Sequence, residues 1–325
     1  MIENDLLRIL TGGWVAQATS VAAKIGLPDA LSAGPSNAAA LSRGLGVDSR
    51  ALARLLRLLT AAGLLEENGE AYTLTEMGAL LRRENLGPLA ALYGSDYFMA
   101  SWAALEHSVT TGEQAFTHVY GTPVFDFLAG RPDRSGEFNA GMAAGTLFFR
   151  RVPDVHDFTG ARSVVDVGGG TGALLAEILR RAPHTRGVLF DVPDVIATAG
   201  HALEDVADRC HLVGGDMFAS VPGDGDAYLL SRILHDWDDE QCATILRNIA
   251  QAMPRGAKLL VIERVVSADA LLPAAFDLHM MVMTGGRERT LPELRALLTR
   301  AGLTPASVTD LPLGLRLLTA VLETS

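Results

Sequence analysis

Residues 164–172 read V-V-D-V-G-G-G-T-G, and an acidic residue, Asp191, follows 19 positions after Gly172 at the end of L-F-D. No other feature of this chain constrains its fold as tightly. The apolar run ending in Asp166 reads as a buried parallel strand. Glycine at 168, 169, 170 and 172 lets the backbone turn sharply and come close to a ligand. The segment 173–181 (A-L-L-A-E-I-L-R-R) is apolar at helical spacing, so the loop opens a helix. Asp191 then closes a second strand, where a carboxylate can accept hydrogen bonds from two ribose hydroxyls. The unit predicts a nucleoside-bearing cofactor.

Two classes of cofactor compete for it. Gly168, Gly170 and Ala173 match the dinucleotide pattern G-x-G-x-x-G loosely, and a pyrophosphate suits a helix amino terminus. Asp166, however, sets a negative charge beside those phosphates and suits a ligand bearing an ammonium group. S-adenosylmethionine has an amino acid end, a ribose and an adenine without any phosphate, and the local residues favour it. A glycine turn with no ligand is the third reading.

The rest of the carboxy-terminal half supports the methyl donor. Strand-like runs at 163–166, 187–191, 210–213, 227–230 and 258–263 alternate with helical patterns, so a parallel sheet is expected. Runs at 304–309 and 315–322 flank only residues 310–314, too short for a crossover helix, so the last strand should be antiparallel. The expected fold class is α/β: a Rossmann-like methyltransferase sheet with a terminal antiparallel hairpin, over residues 158–325.

Residues 1–100 read differently. Asp48 caps an apolar helix over 51–62 that ends at Gly63, and Asn68-Gly69 separates two short strand-like runs, a hairpin signal. Helices followed by a two-stranded wing predict a winged-helix shape. Eight Lys and Arg against ten Asp and Glu in this region leave no basic face for DNA, so it reads as a packing or dimerisation domain. Residues 101–157 form a helical connector rich in large side chains. A net charge of −11 and a pI near 5.2 argue against nucleic-acid and membrane partners. The start M-I-E-N-D lacks the basic flank of a signal peptide, and a cytoplasmic protein is expected. Cys210 and Cys242 offer neither a disulfide framework nor metal-ligand spacing, so no metal is expected.

Chemistry points to S-R-I-L-H-D-W-D-D-E, with His235 at the carboxy-terminal end of the fourth strand, the edge where open α/β sheets bind ligands. In the plainer reading Asp236 or Asp238 caps a helix over 240–253 and His235 merely occupies the turn; both can hold. A histidine there can take a proton from a hydroxyl. Glu263 ends the fifth strand at the same edge and could orient it. Glu288, in G-G-R-E-R-T after a helix over 277–283, could do so too, or could pair at the surface with Arg287 and Arg289. Asp216 is placed for adenine's amino group, with Met217 and Phe218 as an apolar face, or is a turn residue after Gly214-Gly215.

Taken in order, V-V-D-V-G-G-G-T-G, F-D-V-P, G-G-D-M-F, L-H-D-W-D-D-E, V-I-E-R and G-G-R-E-R-T resemble the S-adenosylmethionine-dependent small-molecule O-methyltransferases over nearly the whole chain. These include plant caffeate and flavonoid enzymes and bacterial natural-product enzymes. L-V-G-G-D-M, Y-L-L-S-R-I and V-I-E-R are similar, more narrowly, to bacterial phenazine methyltransferases. The resemblance implies that Asp166, Gly168, Gly169 and Gly170 hold the donor's methionine end and that Asp191 and Val192 meet the ribose. Gly215, Asp216, Met217 and Phe218 would line the adenine, with Ser231 and Arg232 nearby. Some relatives carry lysine where this chain has Ser231. His235 matches the general base, Glu263 and Glu288 the acids that orient it. Trp102, Met142, Phe148, Asp236, His279 and Met280 are the substrate-pocket candidates, facing a flat aromatic acceptor such as a phenazine. A homodimer, S-adenosyl-L-homocysteine as product and a place in secondary-metabolite (antibiotic) biosynthesis follow. The alternatives are N-methylation, a fold relative repurposed for decarboxylation, hydroxylation or pericyclic chemistry, and a nucleoside-sensing regulator.

Overall fold

A computed structural model describes residues 2–197, 199–267 and 270–322. Two compact units form, residues 1–103 with 125–147 and residues 104–124 with 148–325. The segment 101–157, expected as a connector, is divided between them.

The first unit is helical, with a core that includes Leu27, Leu41, Leu52, Leu56 and Leu59. Asp48 caps the helix Ser49–Ala61 by accepting from the Ala51 amide at 2.8 Å, so the helix starts two residues before its expected start. Strands β2 (Leu65–Asn68) and β3 (Ala71–Leu74) make the expected wing, and the two-residue β1 (Ser36–Asn37) adds to its edge. Asn68 pairs with Ala71, so the turn is Gly69-Glu70, with the positive φ on Gly69. Two residues are too few to carry a pattern, which is why β1 was not legible. An apolar groove lined by Trp14, Val21, Ile25, Val47 and Leu55 runs along this unit, and Trp14 is 72% exposed.

The second unit holds a seven-stranded sheet of β4 (Ser163–Val167), β5 (Arg186–Asp191), β6 (Cys210–Gly214), β7 (Ala227–Ser231), β8 (Lys258–Arg264), β9 (Leu303–Asp310) and β10 (Leu315–Leu322). Its order is β6-β5-β4-β7-β8-β10-β9. The pairs from β6 to β8 are parallel, while β10 is antiparallel to both β8 and β9. Both faces are covered, which is why the central strands are apolar without alternation. Val165, Leu230 and Val261 face one core with the helices Asp239–Ala252 and Leu291–Arg300. Val164, Leu229 and Leu260 face another with the helix Ala173–Arg181. The order reverses outward from β4 and β7, so the carboxy-terminal ends of these strands open onto the loops after β4 and β7.

Candidate active site

The glycine loop leaves β4 with Gly168 and Gly170 at φ +68° and +59°, conformations that side chains rarely adopt. A Cβ on Gly168 would stand 2.6 Å from the Ile233 side chain, so this loop abuts the loop that carries His235. Asp191 ties the loop to β5: its Oδ2 accepts from the Gly170 amide at 2.9 Å and its Oδ1 from the Val192 amide at 2.7 Å. Each carboxylate oxygen keeps a further lone pair for a ribose hydroxyl. Burial raises the Asp191 pKa above the usual carboxylate range. Asp166 is 1% exposed, and its Oδ2 finds no hydrogen-bond partner among the described residues. Burial first, then the Asp191 charge, push it up to about 7. An orphaned buried carboxyl of this kind fits an ammonium ligand and not a phosphate.

Past β6, the Gly215 amide donates to the Asp191 carbonyl at 2.9 Å, and the Asp216 carboxylate accepts from the Phe218 amide at 2.9 Å. Asp216 therefore does hold its turn. Asn248 donates to the carbonyls of both Met217 and Phe218, and the Phe218 ring meets Trp237 edge-on at 4.8 Å. Ser231 Oγ is buried and finds no partner among the described residues. Arg232 follows with φ +55°, a strained conformation for a non-glycine residue, and its guanidinium lies 5.8 Å from the Phe148 ring.

His235 sits in the short 3₁₀ turn Leu234–Asp236. Asp238, not Asp236, caps the next helix: it accepts from the Gln241 amide at 2.8 Å while Gln241 Oε1 accepts from the Asp238 amide at 3.3 Å. Asp236 is left free of capping and stands 3.8 Å from His235 Nε2. On the other side of the ring, Nδ1 is 3.2 Å from Glu288 Oε1 and 3.7 Å from Glu263 Oε2. Glu288 is thus the hydrogen-bonded partner, and the ring tautomer with its proton on Nδ1 leaves the Nε2 lone pair on the side of Asp236. Glu263 does more for the backbone, since its Oε1 accepts from the amides of Ile233 and Leu234 at 2.9 and 2.7 Å.

Glu288 is 4% exposed, so the surface-pair alternative fails for it. Arg287 alone behaves that way, pairing with Asp239 and Glu293. Two residues not singled out in the sequence hold Glu288. Arg264 Nη1 donates to its Oε1 at 3.2 Å while the guanidinium stacks 3.5 Å over Phe276, and Asp277 accepts from its amide at 2.9 Å. Burial works against the imidazolium, but the charges of Asp236, Glu263 and Glu288 overcome it and raise His235 to about 9. Burial lifts Glu263 to about 7. His279 is held neutral, down at about 4, by burial, the neighbouring His235 and Arg264.

Phe148 is buried in the core beneath the sheet, Met280 is nearly buried, and His279 lies on the same helix, Leu271–Met283, as Met280. Trp102 and Met142 belong to the first unit.

A glycine loop bound to an acidic strand end, beside a half-buried histidine held by buried carboxylates at the open edge of this sheet, fits a methyltransferase of the Rossmann-like kind. Residues 102–304 match the O-methyltransferase domain family and residues 7–84 the O-methyltransferase dimerisation domain family. The chain is 45% identical to 3-amino-4-hydroxybenzoate 4-O-methyltransferase of Streptomyces cremeus, covering 98% of this chain and 90% of that one. It is 39% identical to a phenazine O-methyltransferase of Lysobacter antibioticus, over 93% and 91% of the two chains. The crystal structure of human N-acetylserotonin methyltransferase in complex with S-adenosylmethionine superposes with a TM-score of 0.90 at 25% identity, covering 100% of this chain and 98% of that one. The chain belongs to the S-adenosylmethionine-dependent O-methyltransferases.

Proposed function

We propose that the enzyme methylates a hydroxyl on an aromatic or polycyclic acceptor, a hydroxybenzoate- or phenazine-like ring, with His235 as general base. The observation that carries this is the His235 Nδ1–Glu288 contact of 3.2 Å at the edge of the sheet beside the glycine loop. The two bacterial relatives, named for methylating a hydroxybenzoate and a phenazine, support an aromatic acceptor. Asp166 and Gly168–Gly170 would hold the methionine end of S-adenosylmethionine, Asp191 and Val192 the ribose, and Gly215–Phe218 with Ser231 and Arg232 the adenine side. Bound there, S-adenosylmethionine supplies an electrophilic methyl group on a positively charged sulfur.

The protein's own task is the proton. A neutral phenol is a poor nucleophile, and its ordinary pKa is about 10. A His235 at about 9 is matched to it, so moving the hydroxyl proton to Nε2 costs on the order of 1 kcal/mol. Glu288 and Glu263 then stabilise the imidazolium that results. The same trio could in principle ligate a cation, since its donor atoms lie within 4.8 Å of one another. Two of its oxygens are already taken by Arg264 and by backbone amides, and the Arg264 charge opposes a second cation. We therefore read the cluster as a proton-handling site.

The dimerisation domain supports a homodimer through the first unit, whose apolar groove would be covered. The test of function is mass spectrometry after incubation with S-adenosylmethionine and a panel of hydroxybenzoates, hydroxyphenazines and flavonoids. A product heavier by one methylene, with S-adenosylhomocysteine released in equal amount, is expected. Cofactor binding without a methylated product from any member would overturn the assignment of acceptor class.

A further inference from the structure

Residues Gly285–Thr290 do more than bring Glu288 to the imidazole. We propose that Arg289 and Gly286 are positioning residues for methyl transfer, fixing the backbone around His235 so that its ring is aligned before the acceptor arrives.

Arg289 is 2% exposed, and among the described residues its side-chain hydrogen bonds go to the loop that carries the base or to the helix after it. Its Nη1 donates to the Leu234 carbonyl at 2.6 Å, its Nη2 to the Trp237 carbonyl at 2.8 Å, and Nε and Nη2 to Asp239 Oδ1 at 3.0 and 2.8 Å. Glu263 grips the same stretch from the opposite side by accepting the amides of Ile233 and Leu234. The residue before His235 is therefore held at its N–H by a buried carboxylate and at its C=O by a buried guanidinium. The bonds are charge-assisted, the strong kind. The backbone of Arg289 is itself anchored where β8 ends, accepting from the Val266 amide at 3.1 Å. The strand that delivers Glu263 thus also fixes Arg289.

Gly286 completes the cradle by absence of a side chain. A Cβ there would overlap the His235 carbonyl oxygen and crowd the Asp236 backbone, so the two segments touch at the peptide joining base and acid. The loop needs such support. It begins at Arg232 with φ +55°, a conformation that persists only when its surroundings over-determine it. Alignment is worth the restraint, because a displacement of about 1 Å can cost on the order of a hundredfold in rate.

The inference rests on His235 acting as the base. The test compares wild-type enzyme with Arg289→Met, Arg289→Lys and Gly286→Ala, measuring kcat, cofactor affinity by calorimetry, and the pH profile of kcat/KM. His235 is faced by Asp236, Glu263, Glu288 and His279, with Arg264 behind Glu288, and a ring that drifts from the acids loses their pull. Arg289→Met is expected to lower kcat at least tenfold, leave the cofactor Kd within threefold, and move the acid limb to lower pH. Arg289→Lys, able to reach a single carbonyl, should fall between. Should Arg289→Met fail to fold, Gly286→Ala removes no functional group and should show the same pattern. Wild-type kcat and an unmoved acid limb in folded Gly286→Ala or Arg289→Met would overturn the inference. His235→Ala, run in parallel, separates the two failures: loss of turnover there with none in these variants rejects the positioning role alone, and undiminished turnover there rejects the base itself.

Discussion

Glu288→Gln isolates the electrostatic grip on the base. The substitution keeps side-chain length and an oxygen near Nδ1 but removes a charge 3.2 Å from the ring. At an effective dielectric constant near 20, two charges about 4 Å apart interact by roughly 4 kcal/mol, equivalent to about three pKa units. Arg264, 3.2 Å from the same oxygen, already offsets part of that charge. The expected fall is therefore about one to two pKa units. A base must be unprotonated to act, so kcat/KM in the wild type should rise with pH and level off only above the His235 value of about 9. In Glu288→Gln this acid limb should move down to about 8 or lower. Near pH 7.5 the neutral fraction would then grow from about 3% to about a quarter or more. Above about pH 10, where both rings are neutral, the variant should be at least tenfold slower because its base is weaker and less well held. The assay is the initial rate of S-adenosylhomocysteine formation across pH at low acceptor concentration, with the acceptor's own ionisation titrated separately. An acid limb that stays at its wild-type position would refute the electrostatic reasoning.

Three further outcomes follow. Asp191→Ala removes the acceptor for Gly170 and Val192 and the proposed ribose contact, so cofactor Kd should rise about 10- to 100-fold by calorimetry; an unchanged Kd would reject the ribose role. Exhaustive chelation followed by metal analysis should leave turnover unaltered, whereas loss restored by one divalent ion would make the His235–Glu263–Glu288 trio a metal centre. Light scattering at micromolar concentration should give twice the 34.4 kDa chain mass, and Trp14→Asp, placing a charge in the exposed apolar groove, should shift it toward monomer; a wild-type monomer would reject the dimer.

The central strands were legible because a parallel strand buried on both faces has to be a continuous apolar run, and the bounds of all seven strands lie within one residue of those expected. The helix before Glu288 was legible only in part. It runs from Leu271, six residues earlier than expected, because Pro273 is tolerated in a first turn and reads in sequence as a break. Glu263 was visible as a charge ending an apolar strand. Glu288 was ambiguous because R-E-R contains one exposed arginine and one buried one, and nothing local separates Arg287 from Arg289. Arg264, Asp277 and Asn248 act across separations of 24, 11 and about 30 residues, through contacts that only the folded chain creates.

The central claim is that His235 removes the acceptor's proton as the methyl group moves. Single-turnover methyl transfer by wild-type and His235→Ala enzyme, with cofactor affinity measured on the same samples, tests it most directly. The account predicts a rate at least tenfold lower in the variant with cofactor Kd changed by no more than a few fold. A single-turnover rate equal to wild type would contradict it.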